Sequence, residues 1–394
     1  MDYGRLISEQ TNALSTPALR QITIEVQKIG GVNLGQGTCQ LPPPPYIIEQ
    51  AHNAAREGIN RYTNPRGLQS LREAISKKLK AHNNLSADPE TEILVTCGAT
   101  GAFEAVCATL LNPGDEVAIF EPTYPYHVQA VLRHGAKINY ISLKLQDDGW
   151  VFNPDHIRRA ITPKTKFLLV NTPGNPTGKI YTREELETIA KILEPTDCML
   201  VTDEIYEYMV FDGRKHISPA TIPTLKDRTI TMGGYSKTFS ITGWRIGYCV
   251  APPELAAVMA NVLDRIYVCA PAPLQEGVAR GVDHFHDQFY KDLNAKYEGK
   301  RNHFAAGLRE IGLHPLMPQG AYYMLVRFDE LMPGITSWDF ARRLVETCGV
   351  GAVPSDDFVR DTSEAPYVRF CLAVEDPVLD DALDRMQALK PVAV

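Results

Sequence analysis

The chain of 394 residues has no stretch of roughly 18 uninterrupted apolar residues, so no membrane-spanning helix is expected. It has no clustered basic run either. The formal net charge is -7, and a mildly acidic chain argues against nucleic acid as the main partner. No Cys-x-x-Cys pair occurs among Cys39, Cys97, Cys107, Cys198, Cys249, Cys269, Cys348 and Cys371. Several of these, such as Cys198 and Cys249, lie in apolar runs. Buried thiols in a reducing cytoplasm account for them better than disulfides or zinc. His284 and His286 flank Phe285 without a further ligand set, so no metal site is expected. The start, Met1-Asp2-Tyr3-Gly4-Arg5, is polar and has no apolar run behind it, so no secretory leader is expected. Internal repeats are missing, and Pro42 to Pro45, which must be extended and stiff, is the sole low-complexity stretch. What is there is 44% hydrophobic, enough for a sizeable core and two domains.

Short apolar runs alternate with longer amphipathic stretches through the middle of the chain. Strands are expected at Ile93 to Cys97, Glu116 to Phe120, Lys137 to Ser142, Lys166 to Asn171, Cys198 to Asp203, Thr229 to Gly233 and Ile246 to Ala251. Most are rich in Val, Ile and Leu without polar alternation, as in strands covered on both faces. Thr182-Arg-Glu-Glu185 predicts a capping box, and Asn153-Pro154 an N-cap with proline at the first helical position. The order implies an α/β fold with a mostly parallel central sheet flanked by helices. Residues 1 to 30 read as a polar helix and linker. From about 285 helices dominate, broken by short strands at Ala321 to Val326 and Tyr367 to Leu372. The expected division is a large domain over 46–285 and a smaller α+β domain from 1–45 and 286–394.

Lys237 stands in Gly-Tyr-Ser-Lys-Thr-Phe-Ser-Ile-Thr-Gly-Trp-Arg, with Arg245 eight positions on. A protonated amine is a poor nucleophile, but desolvation or a nearby cation lowers its pKa and suits it to a Schiff base. The plain alternative is a surface lysine in a polar loop. Asp203 ends an apolar strand, where ligands bind in open α/β sheets, and needs a partner such as a protonated ring nitrogen, unless it caps a helix. Tyr206, three residues on, can reach the same side. Asn175 lies in the tight turn Asn171-Thr-Pro-Gly-Asn-Pro-Thr-Gly178, either an ordinary turn or part of a shared crevice. Gly98, Ala99 and Thr100 open a helix after a strand, which suits a phosphate as well as close packing. Tyr124 can stack on an aromatic cofactor or fill core. Arg369, inside an apolar strand, needs an anion, either a substrate carboxylate or a structural acid. Gly174 to Lys179 is one residue short of a P-loop, and Gly35-Gln-Gly37 lacks the third glycine of a dinucleotide fingerprint, so neither nucleotide is expected.

From about residue 30 to 389 the chain resembles the class I aminotransferases, pyridoxal-phosphate enzymes of fold type I. Ser236-Lys237 through Gly243-Trp244-Arg245-Ile-Gly247, Asn175-Pro-Thr-Gly178 and Asp203-Glu-Ile-Tyr206 carry the resemblance. Val32 to Gly37 and Tyr367 to Cys371 look like the subgroup of kynurenine and glutamine transaminases. The resemblance implies that Lys237 forms the Schiff base and shuttles a proton. It implies that Asp203 pairs with the ring nitrogen, Asn175 and Tyr206 bond the ring hydroxyl oxygen, and Tyr124 stacks on the ring. Ser236, Arg245 and the backbone of Gly98, Ala99 and Thr100 belong to the cofactor site, with Tyr62 reaching the phosphate from a second subunit of a homodimer. Arg369, Asn175 and the Gly37 backbone would take the substrate carboxylate.

The implied reaction is ping-pong exchange between an L-amino acid, of aromatic, methionine or glutamine type, and a 2-oxo acid in the cytoplasm. The alternatives are a β-eliminating C–S lyase on the same scaffold and a non-catalytic cofactor-binding protein. Departures fall near the substrate. Thr38-Cys39-Gln40-Leu41 replaces the subgroup's Phe-Pro-Asp-Phe, and Pro354-Ser-Asp-Asp-Phe358 replaces Pro-Gly-Ser-x-Phe. Gly234 stands where some relatives have a phosphate-binding serine.

Overall fold

A computed structural model describes residues 3–8, 11, 18–146, 149–363 and 365–390. An eight-stranded sheet forms its centre. The strands are β1 (Ile93–Cys97), β2 (Glu116–Glu121), β3 (Lys137–Gln146), β4 (Gly149–Phe152), β5 (Thr165–Asn171), β6 (Met199–Asp203), β7 (Thr229–Gly234) and β8 (Ile246–Val250). Their order is β1-β8-β7-β6-β5-β2-β3-β4. The run from β7 through β6, β5 and β2 to β3 is parallel, while β8 lies antiparallel between β1 and β7, and β4 antiparallel to β3. The sheet is therefore mixed, with its parallel part in the middle.

The apolar runs are explained by coverage on both faces. Successive side chains of a strand point to opposite sides. Val117 and Ile119 of β2 join one buried cluster, with helices Gly98–Leu110 and Pro253–Tyr267. Ala118 and Phe120 join another, with helices Pro154–Ala160 and Arg183–Leu193. Both expected N-caps are present. Thr182 and Glu185 form a reciprocal capping box, and the Asn153 side chain accepts from the Asp155 amide.

A second sheet runs β9 (His314–Leu316), β10 (Tyr323–Arg327), β12 (Tyr367–Cys371), β11 (Val353–Pro354), antiparallel throughout. Its core joins Ile22, Val26 and Leu34 from the N-terminal segment to Phe304, Phe328, Phe340, Phe370 and Leu379. Val32–Asn33 and Val350–Gly351 add a short parallel ladder. The helix Asp287–Glu310 passes three hydrophobic clusters, through Phe289, Tyr297 and Phe304.

Two expectations need correction, and one falls partly outside the described residues. β3 continues to Gln146 and turns back as β4, which the sequence reading missed because Gln146 and Lys144 are exposed and break the apolar run. Of the polar helix and linker expected over residues 1–30, the described residues include a helix at Ala18–Lys28 and a 3-10 turn at Tyr3–Leu6. The remainder of that stretch up to residue 17, apart from residues 7, 8 and 11, lies outside the described residues. The expected strand at Ala321 begins only at Tyr323, since Ala321 has φ 62°.

Candidate active site

The carboxyl ends of the parallel strands meet in one cavity of about 550 Å³, lined among others by Gly37, Tyr124, Asn175, Asp203, Tyr206, Ser236, Lys237, Arg245 and Arg369. Asn171 and Asp203 end β5 and β6 side by side in register. The Asp203 side chain is buried. Its Oδ2 lies 3.1 Å from Nε2 of His127, and its Oδ1 accepts from the Ile205 amide at 3.2 Å. The capping alternative thus holds for one oxygen, which closes a turn rather than starting a helix. Tyr206 is buried beneath the same wall and donates to the Tyr323 hydroxyl at 3.3 Å. Burial holds its own hydroxyl well above the usual phenol range.

Lys237 sits in the short connection between β7 and β8. The connection is pinned by the Tyr235 amide on the Ile246 carbonyl at 3.2 Å and the Ile241 amide on the Ser236 carbonyl at 3.1 Å. Nζ of Lys237 donates to the Gly37 carbonyl at 3.0 Å and lies 5.5 Å from the centre of the Tyr322 ring. The Tyr322 hydroxyl donates to the same carbonyl at 2.9 Å. Burial lowers the amine to about 8; Cys371, Cys39 and Asp203 oppose this, and Arg245 adds to it. Gly37 is required where it stands, because a Cβ there would lie 2.1 Å from the Tyr323 hydroxyl oxygen.

At the other end of the cavity the helix Gly98–Leu110 begins with no side-chain cap and no acid in its first turn. Gly98 has φ +70°, and a Cβ on it would come within 2.6 Å of Nη2 of Arg245. Gly247 must also be glycine, since its Cβ would sit 2.5 Å from the Gly98 carbonyl carbon. The strand thereby presses the helix start against the guanidinium. Uncapped amides, a helix dipole and an arginine make an anion site. Ser236 is buried beside it, whereas Thr100 faces solvent.

Arg369, 3% exposed, projects from β12. It donates through Nη1 to Oδ1 of Asn175 at 2.7 Å and through Nη2 to the Gly35 carbonyl at 3.0 Å. Its plane lies over Tyr323, 4.1 Å from the ring centre, and near Phe358 at 4.8 Å. Nε has no partner, and no acid among the described residues forms an ion pair with it. A structural salt bridge is therefore not what holds this charge.

His127 was not singled out from the sequence, yet it provides the ring that faces Asp203. It lies three residues after Tyr124, at the start of the helix Pro125–Arg133, a spacing that puts both on one side. Its Nδ1 is buried without a partner. Tyr322 and Tyr323 were missed as well. Tyr124 lines the cavity with its ring stacked on Tyr126, centroids 5.1 Å apart. Tyr62 stands apart from the cavity and is 84% exposed.

The residues fit a molecule with a phosphate, a protonated ring nitrogen and an aldehyde. There is an uncapped helix start with an arginine, a buried carboxylate at the opposite wall and a lysine amine lowered toward neutrality. The partnerless Nε of Arg369 offers a further donor to a second anion. Together they describe a pyridoxal-phosphate enzyme. The chain belongs to the aminotransferases of class I and II, whose family model matches residues 29–386. It is 33% identical to aromatic-amino-acid aminotransferase 2 of Thermococcus litoralis, over 97% of each chain. It is 30% identical to the kynurenine–oxoglutarate transaminase of Dictyostelium discoideum, over 99% of this chain and 98% of that one. The solved N-succinyldiaminopimelate aminotransferase of Mycobacterium tuberculosis superposes with a TM-score of 0.93 at 34% identity, covering 97% and 100%. The protein is thus a pyridoxal-phosphate-dependent transaminase, and such relatives give the β-eliminating and non-catalytic alternatives no support.

Proposed function

We propose that this transaminase exchanges the amino group of an L-amino acid with an uncharged side chain, of aromatic, methionine or glutamine type, for the oxo group of a 2-oxo acid. The observation that carries it is the convergence of Lys237, Asp203 and Arg369 on one cavity whose remaining wall, beyond Arg245, holds no unpaired charge among the described lining residues. Leu19, Tyr124, Tyr126 and Tyr323 line that wall. Arg133, also at the cavity, is already paired with Glu104. That leaves Arg369 for the α-carboxylate and Arg245 for the phosphate corner, with no further unpaired cation among the described lining residues.

When bound, the cofactor supplies the electron sink for charge developing at the substrate Cα. The chain's own residues do the rest. Asp203 holds a proton at the ring nitrogen, and His127 fixes the orientation of the carboxylate. Neutral Nζ of Lys237 takes the Cα proton and returns it. Asn175 and Tyr206 would hold the ring hydroxyl oxygen, Tyr124 would cover the ring, and Gly98, Ala99, Thr100, Ser236 and Arg245 would hold the phosphate. Asn175 and the Gly35 carbonyl hold Arg369 in place, and Arg369 with Asn175 and the Gly37 backbone would take the substrate carboxylate. The test is a panel of L-amino acids added to the holoenzyme while the cofactor's visible band is followed. Aromatic amino acids, methionine and glutamine should discharge it fastest; an aspartate rate above all of these would overturn the assignment.

We further propose a cytoplasmic homodimer in which Tyr62 completes its neighbour's phosphate corner. An exposed tyrosine outside its own cavity supports this. Light scattering tests it, and a fully active monomer would refute it. One hydrophobic cluster drawn from 22–34 and 304–389, and another drawn from 94–267, support a division into 46–285 and 1–45 with 286–394, while a third, with Leu325 and Tyr367 among its members, spans the boundary.

A further inference from the structure

The turn after β6 has two faces. Asp203 and Tyr206, three residues apart, line the cavity. Glu204 and Glu207, also three apart, point the other way and are 1% and 4% exposed. Buried acids of this kind need partners, and both have them. Glu204 accepts from the hydroxyls of Thr202 at 2.8 Å and Ser218 at 3.0 Å, and lies 2.7 Å from Nε2 of His216. Glu207 accepts from Nδ2 of Asn83 at 2.7 Å and is ion-paired with Lys78. Lys78 also donates to the Tyr248 hydroxyl at 3.0 Å. Tyr248 belongs to β8, the strand that presses on the start of the phosphate helix. None of these groups touches the cavity. Behind them lies a separate cavity of about 940 Å³, lined by Lys78, His82, Glu207, Tyr208 and His216 among others.

We propose that Glu207, anchored by Lys78 and Asn83, is a positioning residue that sets where Tyr206 meets the cofactor's ring oxygen. The inference rests on the role given above to Tyr206. The turn is short and internally bonded, with the Glu207 amide on the Glu204 carbonyl at 3.0 Å and the Met209 amide on the Tyr206 carbonyl at 2.8 Å. A rotation that releases Glu207 therefore carries Tyr206 with it. Burial raises the Glu207 carboxyl, but Lys78, His82 and His216 more than offset this, so it stays charged and the tether stays ionic. A charge-assisted pair of this kind fixes geometry more tightly than a neutral bond.

The test reads the pH titration of the visible band of the bound cofactor in the holoenzyme. A tyrosine hydroxyl donating to the ring oxygen stabilises the more electron-rich, deprotonated form, so Tyr206→Phe should move the midpoint upward. Glu207→Gln should move it in the same direction by about half a unit or more. Lys78→Met with Glu207→Gln removes both charges and leaves no buried ion unpaired, which covers the event that Glu207→Gln alone does not fold. It should show the same shift. Adding Glu207→Gln to Tyr206→Phe should add nothing. If Tyr206→Phe shifts the band and neither Glu207 variant does, while melting temperature falls, the proposal is overturned and Glu207 merely stabilises. An additive shift overturns it too, since Glu207 would then act elsewhere. An unshifted band in Tyr206→Phe removes the role of Tyr206 itself, and this proposal with it.

Discussion

Arg369 holds Asn175 at 2.7 Å, from Nη1 to Oδ1, across 194 positions of sequence. One side chain comes from the small sheet and the other from the turn after β5. Their contact ties the two halves of the cavity to a single guanidinium. Arg369 spends its remaining bonds on a peptide carbonyl, which an incoming carboxylate can replace at once with a stronger acceptor.

Arg369→Gln should therefore damage substrate binding. Hydrogen bonds to a charged partner contribute about 1.5–3 kcal/mol, so kcat/KM should fall by roughly ten- to a hundred-fold or more, mainly through KM. The cofactor's absorption spectrum should be unchanged. Steady-state kinetics with a reactive amino acid checks this, and a fall confined to kcat would contradict it.

Asp203→Asn should retain the cofactor and lose turnover. A neutral amide stabilises a protonated ring nitrogen far less than a carboxylate does, and removing one electrostatic group at a reacting centre costs roughly 10²–10³ in rate. His127 faces the same carboxylate at 3.1 Å, so His127→Leu should lower kcat in the same sense but by less. Single-turnover rates distinguish the two.

The Lys237 amine titrates at about 8 because it is buried, against about 10.4 for an ordinary lysine. Only the neutral amine attacks an aldehyde. Its folded pKa is depressed, so the neutral form accumulates as pH rises through about 8. Capture of pyridoxal phosphate by the apoprotein should accelerate from pH 6 to 9 with that midpoint. A midpoint above 10 would show that burial does not govern the amine. Lys237→Ala should abolish both capture and transamination.

Gly98→Ala should weaken cofactor binding. The residue sits at φ +70°, and the new Cβ would meet Arg245 Nη2 at 2.6 Å. A left-handed alanine alone costs about 1–2 kcal/mol. If that strain is relieved by moving the corner, the cofactor dissociation constant should rise about five- to thirty-fold, measurable by fluorescence titration. Saturating cofactor should then restore most of the activity.

The legible parts of this molecule were those written in consecutive residues. Thr182 and Glu185 state a helix start in four letters. The apolar runs of β2 and β5 state burial on both faces. Asp203 and Tyr206 state a shared side by their spacing, and the same spacing held Glu204 and Glu207 ready to be read. What stayed hidden depends on distant chain. That Arg369 meets Asn175, or that Lys237 meets the Gly37 carbonyl, follows from the docking of two sheets. His127 looked like any histidine until β6 brought Asp203 against it. Strands of two or three residues, such as β9 and β11, are too short to show a period.

The connection that carries Lys237 joins neighbouring antiparallel strands, with only residues 235 to 245 between them. Both ends are bolted to the same sheet, and the amides of Tyr235, Ile241 and Trp244 are spoken for. Length is thus frozen there: one inserted or deleted residue would swing the amine off its mark. Anyone diversifying this enzyme for new amino acids should leave that link untouched and randomise the segment around Thr38 and Cys39 instead.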